Sequence, residues 1–230
     1  MDPLQAYREL NEQVFGLYAD GRQDEALRLL DATDDAFAPW RAELAYLRAC
    51  LHGSLGQPDR ALGALETAAA DGAWWDPAVL EDDDDLAGAR GLPAYVPLLD
   101  AVSERWRAAN ADLDRDGDRL MMPAGSARGV VVALHGAEED ADDAMVAWRA
   151  AGESGFAVLA VRSSQRTSPH YRTWSDADRA TAEIAQAHAG LPADLRRLES
   201  VGFSLDVAAG LGHAFPTDFS SRLTTWLRPT

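Results

Sequence analysis

Lysine is absent from this 230-residue sequence, so its 21 basic residues are all arginine, against 38 Asp and Glu and a formal net charge of −17. A chain this acidic repels nucleic acid and anionic membranes, and neither is expected as a partner. Cysteine occurs once, at Cys50, which excludes an internal disulfide framework and fits a reducing, cytoplasmic setting. No apolar run reaches the roughly eighteen residues of a membrane span, and the opening MDPLQAYREL lacks a basic then apolar leader pattern. Missing as well are a Walker-type loop, an HExxH motif, a CxxC pair and a glycine-rich dinucleotide fingerprint. Nucleotide and zinc chemistry therefore have no foothold, and no cofactor or metal is expected. What is present suits a packed core: 47% of the residues are hydrophobic, enough for one large domain or two modest ones.

The chain has two textures. Up to about residue 110 there is no strand-like alternation, and apolar residues recur at helical spacing, as at Ala26, Leu27, Leu29 and Leu30, or Leu44, Leu47 and Leu51. Gly21, Asp24, Ala26, Leu27 and Leu30 align with Gly56, Asp59, Ala61, Leu62 and Leu65 at an offset of 35. That period is close to the 34 residues of tetratricopeptide repeats, so residues 1–110 are expected to form an all-α helical-repeat domain. The stretch AWWDPAVLEDDDDLAGARGLPAYVPLL reads as a helical cap closing the stack. Within it, Trp74 and Trp75 are expected to pack rather than to cage a ligand. Contiguous aspartates on a helix diverge, so residues 82–85 are expected to be a solvated helix start rather than a metal site.

Residues 111–119 are polar and serve as the expected linker to a second domain, 120–230. There, short apolar runs (GVVVALHG, GFAVLAVRSSQ, LESVGFS) alternate with amphipathic helical stretches, the pattern of an α/β domain with a small, mainly parallel sheet. Crossovers of constant hand bring the strand C-termini to one edge, where His135, residues 163–165 and Ser204 follow their strands. Ser204 lies in GFSLD, four-fifths of a G-x-S-x-G nucleophile elbow, with Asp206 in place of the second glycine. His213 sits in the glycine-rich GLGHAFP ahead of an amphipathic helix at 218–227, free to turn its imidazole toward a neighbouring strand end. His135 itself is expected to be a structural loop residue.

Taken in order, LHGAEEDADD, GFAVLAVRSSQ, WSDADRATAEI, GFS and GLGHAFPTDFSSRLTTWL resemble α/β-hydrolases of the dienelactone hydrolase and phospholipase/carboxylesterase group over most of residues 129–228. The resemblance implies Ser204 as nucleophile, His213 as base, and the N–H groups of Ala137 and Leu205 as oxyanion donors. It also implies Trp174 as a wall of the acyl pocket, with simple packing as the alternative. The substrate would be a small carboxylic ester or thioester, with water as the only cosubstrate.

One departure dominates. Serine and histidine stand nine positions apart, whereas the group places a helix, further strands and the triad acid between them. An internal deletion is expected, leaving a truncated domain. Five residues cannot form the crossover of a dozen or more that another parallel strand needs, so the sheet should end in an exposed edge prone to self-association. Asp206 and Asp218 are poor substitutes for the missing acid, whose loss alone lowers turnover by a factor on the order of 10⁴. Two expectations follow: a hydrolase with impaired or no activity, or a non-catalytic protein whose helical repeats bind a protein partner.

Overall fold

A computed structural model describes residues 3–33, 35–111, 117–136 and 139–198, together with Ser221 and Thr224. Its contacts divide the chain into a helical unit, Met1–Ala111 with Arg166–His170, and a second unit, Asp112–Gln165 with Tyr171–Thr230.

In the helical unit, glycine sets the punctuation. Helices α1 (Pro3–Ala19) and α2 (Gln23–Asp31) pack on each other, as do α3 (Arg41–Ser54) and α4 (Pro58–Ala70). The turns between them hold Gly21 at φ +72° and Gly56 at φ +68°, a left-handed conformation that a β-carbon disfavours. Both turns are followed by the same buried pair, Ala26 and Leu30 in α2 and Ala61 and Leu65 in α4, all without exposed surface. Short helices α5 (Pro77–Asp82) and α6 (Ala87–Arg90), joined by a 3-10 turn at Asp84–Leu86, precede α7 (Tyr95–Ala109). Their Leu80, Leu86, Tyr95 and Val102 enter one apolar core with Ala61, Leu65 and Trp75. Trp75 is buried and donates from Nε1 to the Ala42 carbonyl at 3.0 Å, the packing role expected of it.

Three strands form the described sheet of the second unit: β1 (Arg119–Met121), β2 (Val130–Leu134) and β3 (Ala157–Val161), in the order β1-β3-β2. β2 runs parallel to β3 with Leu134 opposite Val161, while β1 runs antiparallel, with Arg119 opposite Ala160. The sheet is thus mixed, and the antiparallel β1 is an element the sequence reading did not foresee. A further strand expected before Ser204 lies outside the described residues.

Side-chain alternation sorts β3 onto two layers. Val158 and Ala160 face a core with Ala141 and Ala144 of α8 (Ala141–Ala147) and Ala151 of α9 (Arg149–Glu153). Ala157, Leu159 and Val161 pack with Ala187 of α10 (Ala177–Ala189) and Leu195 of α11 (Ala193–Arg196). Helices therefore cover both faces, which explains why β3 is apolar at every position and fully buried. Among the described residues, no helix is long and apolar enough to cross a membrane.

Candidate functional site

The carboxyl ends of β2 and β3 converge, as their parallel pairing requires. His135 follows β2, and its Nε2 accepts the Ser163 main-chain N–H at 3.1 Å just past β3. That contact fixes the tautomer: Nε2 carries the lone pair, and Nδ1–H donates to the Gly136 carbonyl at 2.7 Å. Burial pushes the imidazole below its ordinary pKa, with hydrogen bonding to Gly136 opposing it. His135 is therefore a neutral structural residue with both nitrogens occupied, in agreement with the sequence reading.

Residues 163–165 lie at the centre of a polar network that spans little exposed surface. The Ser163 hydroxyl donates to the Thr173 carbonyl at 2.6 Å, and Arg172 donates to the Ser163 carbonyl at 2.6 Å. Ser164 donates its hydroxyl to the buried Glu183 and receives Arg179 at 2.7 Å, while Arg179 also bonds Glu183 along α10 at 3.3 Å. The Gln165 side-chain amide grips residue 176 in both directions, donating to its carbonyl at 3.1 Å and accepting its N–H at 2.8 Å. The Asp176 carboxylate in turn caps α10 by accepting the Arg179 N–H at 2.9 Å. Each of these serines is engaged as a donor, so neither stands ready as a nucleophile; the network gives the strand ends a rigid floor. Arg179 and Glu183 stand at i and i+4 in WSDADRATAEI, a spacing that signalled a helix-face pair but not its buried partner serine.

Trp174 belongs to this floor. Its indole donates to the His135 carbonyl at 3.0 Å, its ring centroid lies 5.1 Å from the imidazole, and it packs beside Leu134 and Leu195. On the loop after β2, Gly136 donates its N–H to the Glu139 carboxylate at 2.8 Å, and a capping box between Asp140 and Asp143 starts α8. The predicted oxyanion donors Ala137 and Leu205, the nucleophile Ser204 and the base His213 lie outside the described residues, as do Asp206 and Asp218.

The helical unit holds a second polar cluster. Ligand atoms of Cys50, Asp83 and Asp85 lie within 4.8 Å of one another. Every one is already engaged: Tyr46 and Cys50 donate to Asp83, Cys50 at 3.3 Å, and Tyr18 donates to Asp85 at 2.6 Å. The hydrogen bond to Asp85 and burial raise the Tyr18 pKa to about 12, and burial raises those of Tyr46 and Cys50. Protonated phenols and thiol then act as donors, clamping the Asp84–Leu86 turn onto α1 and α3. This corrects the expectation for residues 82–85. Asp82 and Asp84 are exposed as a solvated helix start requires, but Asp83 and Asp85 are half-buried acceptors.

A layered unit with helices on both faces of a sheet and polar loops at its strand C-termini is an α/β architecture. Comparison with known proteins adds the relationship. Residues 6–110 match the family described as "A/B hydrolase-like, N-terminal domain", which supports a relationship to the α/β-hydrolases. No curated protein matches the chain. A 2.75 Å crystal structure of an uncharacterized protein from Bacillus cereus ATCC 10987 is similar, at 18% identity and a TM-score of 0.41. The match covers 80% of this chain, which spans 59% of the length of that protein.

Proposed function

We propose that this is a hydrolase-type protein whose acyl-transfer centre, built on Ser204 and His213, is impaired. The observation that carries the reading is the match of residues 6–110 to the family described as "A/B hydrolase-like, N-terminal domain". The β2–β3 floor supports it, because strand C-termini are where an α/β sheet holds its chemistry. In the intact reaction His213 takes the Ser204 hydroxyl proton as the oxygen attacks the ester or thioester carbonyl. Ala137 and Leu205 N–H groups stabilise the oxyanion, and the proton passes to the departing alcohol or thiol. Water, activated by the same imidazole, then releases the acid and regenerates serine. Trp174 lines the acyl side. Asp206, two residues from the nucleophile in sequence, would oppose the negative intermediate, and the nine-position Ser204–His213 spacing omits the segment that carries the acid of the relay in the group it resembles. We place this activity in a cytoplasmic setting, and the helical pairs, read as tetratricopeptide-like, as an accessory domain.

A fluorophosphonate probe tests this directly. Slow, Ser204-dependent labelling is expected, lost in Ser204→Ala and reduced at least tenfold in His213→Ala. Folded protein that resists labelling at high probe concentration, or labels equally after Ser204→Ala, would refute the reading.

A further inference from the structure

The helical unit does not end at residue 111; Arg166–His170 belong to it, and the way they are held has the form of ligand recognition. Four of the five residues are read by hydrogen bonds. Asn110 brackets residue 166, accepting its N–H at 2.8 Å and donating to its carbonyl at 3.2 Å, and Trp106 Nε1 donates to the same carbonyl at 2.8 Å. The Asp76 N–H reaches the Thr167 carbonyl at 2.7 Å. Glu43 of α3 accepts the Ser168 hydroxyl at 2.5 Å and the His170 N–H at 3.0 Å, both on Oε1, with the His170 ring nitrogen at 3.5 Å. The imidazole also lies 5.8 Å from the Trp40 ring, which stacks on Tyr7 at 4.7 Å.

Glu43 is the telling group. It is 2% exposed, yet donors to its side chain come from Ser168 and His170 together with its own main-chain N–H. Its second oxygen, Oε2, is buried with no hydrogen-bond partner. Burial opposes the charge, while the Ser168 and His170 hydrogen bonds hold the carboxyl below its usual range and so keep it ionised. A core helix has no packing reason to bury a carboxylate. A surface that recognises a peptide does, because a buried charged acceptor discriminates strongly for a donor at one position.

We propose that the helical unit carries a peptide-recognition site formed by Glu43, Asp76, Trp106 and Asn110, and that Arg166–His170 is its ligand, bound within the same chain. The class of ligand is a short segment with a main chain open at its first two residues and a serine hydroxyl at the third. Tethering keeps the site filled, since an intramolecular ligand acts at a high effective concentration.

The test uses the full chain. A variant with all five residues 166–170 changed to glycine removes the hydroxyl and ring contacts and weakens the resident ligand. A fluorescent peptide of the sequence SSQRTSPHYR is expected to bind this variant, but not the wild-type chain. It should bind at least tenfold more tightly than SSQRTAPHYR, and adding Glu43→Ala to the variant should abolish the difference. No binding to the folded variant, or equal binding of both peptides, would overturn the proposal. Should that variant fail to fold, hydrogen exchange on the wild-type chain and Glu43→Gln decides. Exchange at the residue 170 amide should accelerate at least tenfold while the α4 amides are unchanged, and uniform or unchanged rates would overturn it.

Discussion

His135 shows how one side chain converts position into pH dependence. Its folded-state pKa lies below the ordinary imidazole value, so on acidification the unfolded chain binds a proton that the folded chain refuses. Its stabilising effect is complete above about pH 6.5, the unfolded value, and is lost as pH falls from there toward the folded pKa. Urea unfolding of the wild-type chain should show lower stability at pH 5.5 than at pH 7.5, with this group contributing to the loss. In His135→Gln the amide oxygen retains an acceptor for Ser163 without the titration, so the loss between the two pH values should be smaller than in the wild type; an equal loss would count against a depressed imidazole pKa. The sequence foretold a structural role for this residue because a histidine at a strand end is placed by the strand. It did not foretell Glu43, which sits among apolar residues of α3 and meets a serine 125 positions downstream. Local pattern carries no information about such a partner.

Among the elements, the Asp84–Leu86 turn depends on a glycine that its own sequence does not contain. A β-carbon on Gly53 of α3 would stand 1.9 Å from the Asp85 carbonyl oxygen and 2.7 Å from its carbon. Both are main-chain atoms, so helix and turn would have to separate, displacing the acceptors of Tyr18 and Tyr46 as well. Gly53→Ala should destabilise the helical unit by about 2 kcal/mol or more, as overpacking does. A control is at hand in Gly63 of α4, where a β-carbon meets nothing within 4 Å. There alanine should be neutral or stabilising by up to ~1 kcal/mol through helix propensity. Circular-dichroism melts of the two variants should move in opposite directions, or at least differ by several degrees. Helix pairs at an offset of 35 were legible because glycine, alanine and leucine recur with the turn and core positions they serve. The three residues of β1 were not, since Arg-Leu-Met is too short to show alternation and takes its conformation from β3.

At the scale of the whole molecule, charge is the governing feature. A net −17 distributed over 230 residues makes the folded chain repel itself, and exposed ion pairs such as Arg41–Asp71 and Arg22–Glu25, each neutral as a pair, do not reduce that excess. Added salt should therefore stabilise this protein. The unfolding midpoint is expected to rise by a few degrees between about 10 mM and 300 mM NaCl, as screening shortens to under a nanometre. A fall would mean that specific ion pairs outweigh the general repulsion. Ser204 and His213 are read only from motifs of consecutive residues, GFSLD and GLGHAFP, which lie outside the described residues. The floor at the strand ends was not legible, because Arg172 and the α10 pair Arg179 and Glu183 meet Ser163 and Ser164 from a separate segment of the chain.

The placement of Arg166–His170 also sets an order of events during biosynthesis. A ribosome delivers residues 1–111 well before Ser168 and His170 exist, so Glu43, Trp106 and Asn110 wait without their hydrogen-bonding companions while more than fifty further residues are added. The N-terminal helices are made first but completed late, and the nascent chain passes through a stage in which an ionised carboxylate has yet to meet the residues that enclose it.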